Sequence, residues 1–380
     1  MRKLEFDFDI PEKEIEKRKQ AVRDVWDYRR VDHIPVMLSI SSNPFGYTTR
    51  EELTDKEKQL DIRLSSLKRT LELVPDDYIP SLFINTGCVG VESALGMQVH
   101  WGETEDQTPG VVTPLLKNIE DVYSLKPINP ERDGMIPTFL EMARYFTGQT
   151  GHKLPVSCMD MNGPSAIAMN ILGSENFFLG MYTNPEEIHH LLDFTTGCIL
   201  SVTEACIRAA GGIGNITSTD FVAEWFPEGM KGHVSDDVSA MIKPEFFKEF
   251  SIPANSRVFA QYGPGTLHNC GPNPCASLYL EHTPRIHGAD LNFQYSKADL
   301  PSFRRPFSRK GVIYLGMGYS SFEGTVADFR YIIDSLAPDV IAIPSVVIDE
   351  RMVDAGLCDV GRLYDALRAM ATEYADMIWG

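Results

Sequence analysis

The sequence predicts a (β/α)8 barrel, the α/β fold in which eight parallel strands alternate with helices. Short, apolar, β-branched runs recur along the chain, as is typical of strands that are buried on both faces. Between them lie segments with helical spacing of apolar residues. No linker-like change in composition divides the chain, so we expect one domain over residues 1–380. A doubly wound open sheet is the alternative, and the strand count alone does not exclude it.

The eight candidate strands are short runs that read, for example, "IPVMLSI" and "GVIYLGMG". They span residues 34–40, 79–87, 154–163, 213–220, 265–270, 289–293, 311–318 and 340–346. No glycine-rich phosphate-binding fingerprint follows any of them, which disfavours a nucleotide-binding open sheet.

The candidate helices carry start and stop signals. The segment 184–212 opens with Asn-Pro-Glu-Glu and closes on Gly-Gly, and 54–74 starts with a Thr/Asp cap signal. Residues 243–263, 325–338 and 360–379 complete the set. We also expect a helical N-terminal extension over about residues 1–30 and an elaborated loop region over about residues 88–153.

Composition and charge exclude several classes of partner. The 35 basic and 53 acidic residues give 35 − 53 = −18, which disfavours nucleic acid and anionic lipid. The chain contains no apolar run of signal-peptide or bilayer length, so we expect a cytoplasmic protein that does not enter membranes. Its seven cysteines are scattered over the whole length, which argues against a disulfide framework.

Polar side chains follow the predicted strands at the ends where barrel enzymes place their active sites. Such residues are costly to bury without partners, so we expect a polar catalytic mouth, although several of them would equally cap helices. We assign substrate binding to Asn85, Asp160, Asn162, Asp220 and Tyr319.

The segment "GTLHNCGPNPC" (265–275) contains the most specific signal. His268 and Cys270 are two residues apart on a strand end, so their side chains point the same way. Imidazole and thiolate together suit zinc, and Cys275 is the nearest third ligand. The alternative is a hydrogen-bonded histidine beside a buried thiol, with Cys275 opening the next helix.

Three acidic residues are candidates for catalysis. Asp236 and Asp237 precede a helix that begins near Pro244, where they would bind a cation or a proton, or cap that helix. Glu224 lies in an aromatic-rich loop, 221–234, of the kind that lines substrate pockets, although simple surface packing is an equal alternative.

Several collinear segments resemble the uroporphyrinogen decarboxylase superfamily, which includes corrinoid-dependent methyltransferases. They are "YRRVDHIPVML" (28–38), "NGPSAIAMNILG" (162–173), "MYTNPEEIHHLL" (181–192), "SDDVSAMIKPEFFKEFSIPANSRVF" (235–259) and "HNCG" (268–271). The resemblance covers nearly the whole length and implies the (β/α)8 barrel. The Arg-rich segment of the decarboxylase branch is replaced here by "SISSNPFGYTT" (39–49), which disfavours a polycarboxylate substrate.

The methyltransferase branch resembles this chain at His-x-Cys, which implies that His268 and Cys270 bind zinc and activate a thiol. The family's third ligand, a later cysteine, is absent. Either Cys275 replaces it, or another residue such as Tyr319 or Asp290 does, or the site no longer binds zinc. The resemblance thus implies methyl transfer between a small donor or thiol acceptor and cobalamin on a corrinoid protein. A homodimer is compatible with it. The alternatives are a decarboxylase of a tetrapyrrole or other acid, and a non-catalytic tetrapyrrole or corrinoid binder.

Overall fold

Six parallel strands form the main sheet of the computed structural model, which describes residues 10–75 and 77–380. Their spatial order is β1-β8-β7-β6-β5-β4, and a two-stranded antiparallel ribbon pairs β2 with β3. The strands are β1 (Met37–Ser41), β2 (Val99–His100), β3 (Gly110–Val111), β4 (Gly232–Ser235), β5 (Gly265–Asn269), β6 (Ile286–Asn292), β7 (Val312–Gly318) and β8 (Ile341–Asp349).

The second, third and fourth predicted strands continue the barrel wall in irregular form. Single parallel bridges join Leu82 to Val156 and Val156 to Ile216, in place of continuous ladders. Side-chain oxygens accept hydrogen bonds from backbone amides that would donate to backbone carbonyls in a regular ladder. For example, Ile84 N donates to the Ser157 hydroxyl at 3.0 Å. These segments therefore complete an α/β barrel of the TIM type, which confirms the predicted fold class, with three weakly paired positions in the wall.

Strand β4 was not predicted, because the first three residues of its sequence "GHVS" end the segment 221–234 that we expected to be a loop. All four of its residues are buried, and β4 pairs in parallel with β5. Val234 is the single apolar residue of this segment, which is too little to form an apolar strand pattern. The segment is a strand because it pairs with β5.

Helices cover the outside of the sheet. The α-helices are α1 (Glu12–Trp26), α2 (Thr49–Thr54), α3 (Lys56–Leu73), α4 (Gly90–Ala94), α5 (Ile136–Gln149), α6 (Pro164–Leu172), α7 (Ser174–Thr183), α8 (Pro185–Ala210), α9 (Pro244–Phe246), α10 (Ile252–Tyr262), α11 (Ala276–His282), α12 (Phe293–Ser296), α13 (Leu300–Phe307), α14 (Phe322–Leu336), α15 (Glu350–Asp354) and α16 (Val360–Trp379). Short 3-10 turns occupy Ile119–Ser124, Ile213–Asn215, Asp237–Ala240 and Lys297–Asp299, and a π turn spans Phe247–Ser251.

Local chemistry explains several helix ends. The predicted helix 54–74 corresponds to α3, which begins at Lys56 because Asp55 caps it by accepting from the amides of Glu57 and Lys58. Thr54, the first residue predicted for this helix, is the last residue of α2. Helix α8 ends at Gly211, whose φ of +86° is the left-handed conformation that glycine tolerates best.

The N-terminal helix is anchored to the barrel by Trp26, which is fully buried. Its indole Nε1 donates to the hydroxyl of Tyr314 on β7 at 2.9 Å, and its ring stacks on His287 at 5.1 Å. The region 88–153 contains the β2–β3 ribbon and helices α4 and α5. None of the helices in the described residues is long and apolar enough to span a membrane.

Close backbone approach between β4 and β5 requires glycine at their starts. A Cβ added at Gly265 would lie 1.5 Å from the carbonyl oxygen of Gly232. This contact sets the spacing of the two strands that lead to the polar residues described below.

We predict that Gly265→Ala destabilises the fold by more than about 2 kcal/mol, because the new methyl group collides with backbone that cannot rotate away. Gly318→Ala is the matched control, since a Cβ at Gly318 meets nothing within 4 Å. Urea denaturation of both variants measures the difference. Equal midpoints for the two variants would contradict the close approach of β4 and β5.

Candidate functional site

A cleft of about 420 Å³ opens where β4, β5 and β6 end, at the carboxyl end of the barrel. Its lining residues are Cys88, Asp160, Met161, Asn162, Phe221, Ser235, Asp237, His268, Cys270, Asp290, Leu291, Asn292 and Gly316. The lining includes three aspartates and no Lys or Arg. The position is the one that barrel enzymes use for catalysis.

Three side chains in the cleft converge to form a metal-ligand group. The donor atoms of Asp237, His268 and Cys270 all lie within 4.8 Å of one another. His268 Nε2 is 3.3 Å from Cys270 Sγ and 3.9 Å from Asp237 Oδ1. Within residues 10–75 and 77–380 this is the one such group of His, Cys, Asp or Glu.

The strand register brings these residues together. Ser235 on β4 lies opposite His268 on β5, so the chain leaving β4 runs beside the chain leaving β5. Asp237 is then close enough to accept a hydrogen bond from the amide of Cys270, at 2.7 Å. The carboxylate is thereby fixed next to the thiol.

His268 is oriented by a carboxylate on the neighbouring strand. Asp290 on β6 lies opposite His268, and its Oδ2 is 2.7 Å from His268 Nδ1. Burial opposes a charged imidazole here, but Asp290, Cys270 and Asp237 together raise the pKa of His268 well above its usual value. With Nδ1 directed at Asp290, Nε2 is the nitrogen that faces Cys270 and Asp237.

The donor set fits zinc. One imidazole nitrogen, one thiolate sulfur and one carboxylate oxygen are all accepted zinc ligands. In zinc sites, a histidine that binds the metal through one nitrogen commonly donates a hydrogen bond from the other nitrogen to a carboxylate. Asp290 supplies that carboxylate for His268. The side chain of Asp237 is 48% exposed, so the group borders the open cleft.

Cys275 does not join this group, which corrects its assignment as the third ligand. Its fully buried thiol lies 3.6 Å from the carbonyl oxygen of Ser239 and 3.8 Å from that of Ile242, at the start of α11. Burial raises its pKa to about 12. The intervening loop is held away from the cleft, because Asn273 donates to Ser296 at 2.9 Å.

The two adjacent aspartates have different environments. Asp237 lines the cleft, whereas Asp236 is fully buried behind it and accepts a hydrogen bond from Asn255 at 2.8 Å. Burial raises the pKa of Asp236 to about 6. Its amide donates to the carbonyl of His268 at 2.8 Å, so the structure places Asp236 as a support for the strand end.

Two further acidic residues predicted to bind substrate lie in the wall of the cleft. Asp160 lines the cleft, and burial, with a contribution from Asp237, raises its pKa to about 6 against the opposing effect of His268. Asp220 lies within the wall, behind the residues that line the cleft, where its carboxylate accepts from the amide of Met161 at 3.1 Å and from the Ser235 hydroxyl at 3.2 Å. Burial, with the nearby Asp160 charge, raises the pKa of Asp220 well above its usual value.

Glu92 is a buried residue of this wall that the sequence analysis missed. Its Oε1 accepts from Asn162 at 2.8 Å and from Asn170 at 2.9 Å, while Oε2 is buried and accepts no hydrogen bond from the described part of the chain. Asn162, predicted to bind substrate, does line the cleft and is positioned by this contact. The signal that was available is a single charged residue in the mostly apolar run "GVESALGM" (90–97).

Phe221 also borders the metal-ligand group, and the sequence analysis did not single it out. Its ring meets that of His268 edge-on with centroids 5.1 Å apart. The phenyl group thus covers one side of the imidazole and limits its contact with water.

Besides Cys275, Asp236 and Asp220, three more of the predicted residues lie outside the cleft lining. Asn85 caps a turn by accepting from the amide of Gly87 at 2.9 Å, and the Tyr319 hydroxyl donates to the carbonyl of Leu357 at 3.0 Å. Glu224 lines a separate cavity, where it accepts a hydrogen bond from Ser345. Strand-end position alone did not separate these residues from those that face the cleft.

Comparison with known proteins adds two findings. A family profile described as "Uroporphyrinogen decarboxylase (URO-D)" matches residues 29–292. Among solved structures, a methyltransferase from Methanosarcina mazei is similar, with a TM-score of 0.67 and 16% identity over 94% of this chain and 98% of that chain. That likeness establishes the fold. The search of curated protein sequences returned no match.

We predict that Glu92→Gln stabilises the protein at pH 8 by about 1 kcal/mol and has less effect at pH 5. Burial raises the pKa of Glu92, so the folded protein favours the protonated carboxyl. The wild type therefore loses stability as the pH rises from the pKa of this group in the unfolded chain to its higher pKa in the folded protein. Glutamine keeps the acceptor for Asn162 without the buried charge. Urea denaturation at both pH values measures the effect, with the exposed Glu245→Gln as control, and a gain independent of pH would contradict it.

Proposed function

The chain belongs to the uroporphyrinogen decarboxylase family, and from that premise we propose that it is a zinc-assisted, corrinoid-dependent methyltransferase. It would move a methyl group between a small-molecule donor or thiol acceptor and cobalamin carried by a partner protein. The observation that carries the proposal is the convergence of Asp237, His268 and Cys270 at the edge of the cleft.

The charge of the cleft supports methyl transfer over decarboxylation of a polycarboxylate. Such a substrate needs fixed cations, usually arginines, to hold its carboxylates. The lining instead carries Asp160, Asp237 and Asp290 and no Lys or Arg. An acidic cleft attracts a metal cation and repels an anion with several carboxylates.

His268, Cys270 and Asp237 would hold the zinc, with Asp290 orienting the imidazole. A bound zinc ion lowers the pKa of a thiol so that its thiolate, the form that accepts methyl, exists at neutral pH. The protein's own contribution is positioning. The Cys270 amide holds Asp237, Asp290 holds His268, and Phe221 covers the ring.

Asp160 is suited to receive the proton that an incoming thiol loses. It lines the same cleft, and its pKa near 6 lies close to the operating pH that a general base requires. Asn162 borders the cleft beside it and is fixed by Glu92, so it can orient a polar part of the substrate. The open side of the cleft is where a corrinoid domain would approach.

We predict that the purified protein contains about one zinc per chain and that Cys270→Ser loses most of it. Cys275→Ser is the matched control and should retain the metal, since its thiol faces backbone carbonyls and not the ligand group. Elemental analysis of the three proteins tests both statements. Zinc retained in Cys270→Ser, or lost in Cys275→Ser, would contradict the ligand assignment.

We predict that Asp160→Asn lowers the rate of methyl transfer from methylcobalamin to a small thiol by about 10²-fold, within the range of general-base effects. Zinc content should be unchanged, because Asp160 is outside the ligand group. The variant's rate should also lose the pH dependence that titration of the Asp160 carboxyl gives to the wild type. Full activity in Asp160→Asn would reject the base, whereas release of carbon dioxide without methyl transfer would favour a decarboxylase.

A further inference from the structure

A second, smaller cavity of about 140 Å³ lies beside the cleft and shares no lining residue with it. Ser345 of this cavity is the register partner of Gly316 in the cleft, so the two spaces are neighbours across β7 and β8. The lining residues are Met37, Ser39, Tyr78, Ile79, Ser81, Ala223, Glu224, Trp225, Ser345 and Val347. This set contains one acidic residue and no Lys, Arg or His.

Glu224 gives the cavity its charge. Its Oε1 accepts a hydrogen bond from the Ser345 hydroxyl at 2.5 Å. Burial raises the pKa of Glu224, and the nearby charge of Asp290 adds to the effect. Without a cation in the cavity the protonated carboxyl is therefore favoured, because the lining supplies no counter-charge for the carboxylate. A cation in the cavity would provide it.

The walls suit alkyl groups attached to that cation. Tyr78 and Trp225 contribute aromatic rings, and Met37, Ile79 and Val347 contribute apolar side chains. Aromatic faces attract alkylated ammonium ions through the charge distribution of the ring.

The ring of Trp225 already contacts the charged groups of three basic side chains. Lys19, Arg23 and Lys231 pack over it with charges 5.0–5.2 Å from its centroid, but they do not line the cavity. Tyr78 is therefore the ring that we assign to a bound cation.

Size and access limit the ligand. A cavity of roughly 150 Å³ holds benzene in another protein, so this one fits about five or six non-hydrogen atoms. An adjoining cleft of about 210 Å³ shares Ser39, Tyr78, Ser81, Ala223 and Val347 with it and provides a path from solvent.

We propose that this cavity binds a small alkylammonium ion, with its charge on the Glu224 carboxylate and its alkyl groups against Tyr78 and Val347. The site is separate from the metal-ligand group and does not depend on the methyltransferase activity. Binding is therefore measured directly, and a negative result would leave the zinc prediction untouched.

Tetramethylammonium chloride is the probe, titrated calorimetrically into the wild-type protein, Glu224→Gln and Glu228→Gln. We expect Glu224→Gln to weaken binding at least tenfold. Glu228→Gln should change it less than twofold, because Glu228 lies in the same loop but pairs with Arg23 outside the cavity. tert-Butanol, a neutral molecule with the same number of non-hydrogen atoms, should bind at least tenfold more weakly.

A second variant tests the location independently of charge. Val347 is 47% exposed and borders both the cavity and the adjoining cleft of about 210 Å³ that leads to solvent. Val347→Phe should therefore fill part of the cavity without disturbing the fold. We expect it to abolish tetramethylammonium binding. The proposal is overturned if the wild type does not bind the probe, if Glu224→Gln or Val347→Phe binds it as the wild type does, or if tert-butanol binds equally well.

Discussion

The buried contact between His268 Nδ1 and Asp290 Oδ2 is the constraint on which the candidate site depends. Taking an imidazole and a carboxylate out of water is costly, and only close, well-oriented contact offsets that cost. The parallel pairing of β5 and β6 places the two residues opposite each other. Because the ring is held through Nδ1, its other nitrogen has one direction left, toward Cys270 and Asp237.

The same argument extends to β4. Ser235, the last residue of β4, lies opposite His268 on β5, so the segments that follow the two strands begin side by side. The Cys270 amide then holds Asp237 in place by donating a hydrogen bond to it. The glycine pair at the starts of these strands permits the close approach that this register requires. A site of three side chains thus depends on the backbone spacing of three adjacent strands, and a change at the buried start of β5 would reach the ligands at its end.

The sequence predicted the barrel because buried parallel strands and capped helices leave local signals. It also predicted that His268 and Cys270 face the same way, since alternate positions of extended backbone do so, and Cys270 directly follows the end of β5. Strand β4 and the pairing of Asp237 with Cys270 left no such signal, because they arise from contacts between distant segments. Cys275 was a reasonable ligand by spacing, but its loop is held by Ser296, a residue that proximity in sequence does not connect to it.

The distribution of charge connects the site to its chemistry. Asp160, Asp237 and Asp290 line the cleft, and Asp220 and Glu92 lie in its wall, while His268 is the single basic residue of the lining. Burial raises the pKa values of Asp160, Asp220 and Glu92, so part of this negative charge is neutralised by protons in the absence of a cation. A divalent metal at Asp237, His268 and Cys270 would favour ionisation of the nearby carboxyls. Metal binding and the proton affinity of Asp160 would therefore be coupled, and the residue that we propose as the base would become a weaker base with the metal bound. Such coupling would favour a substrate whose own acidity the metal also increases, as a bound metal ion does for a thiol.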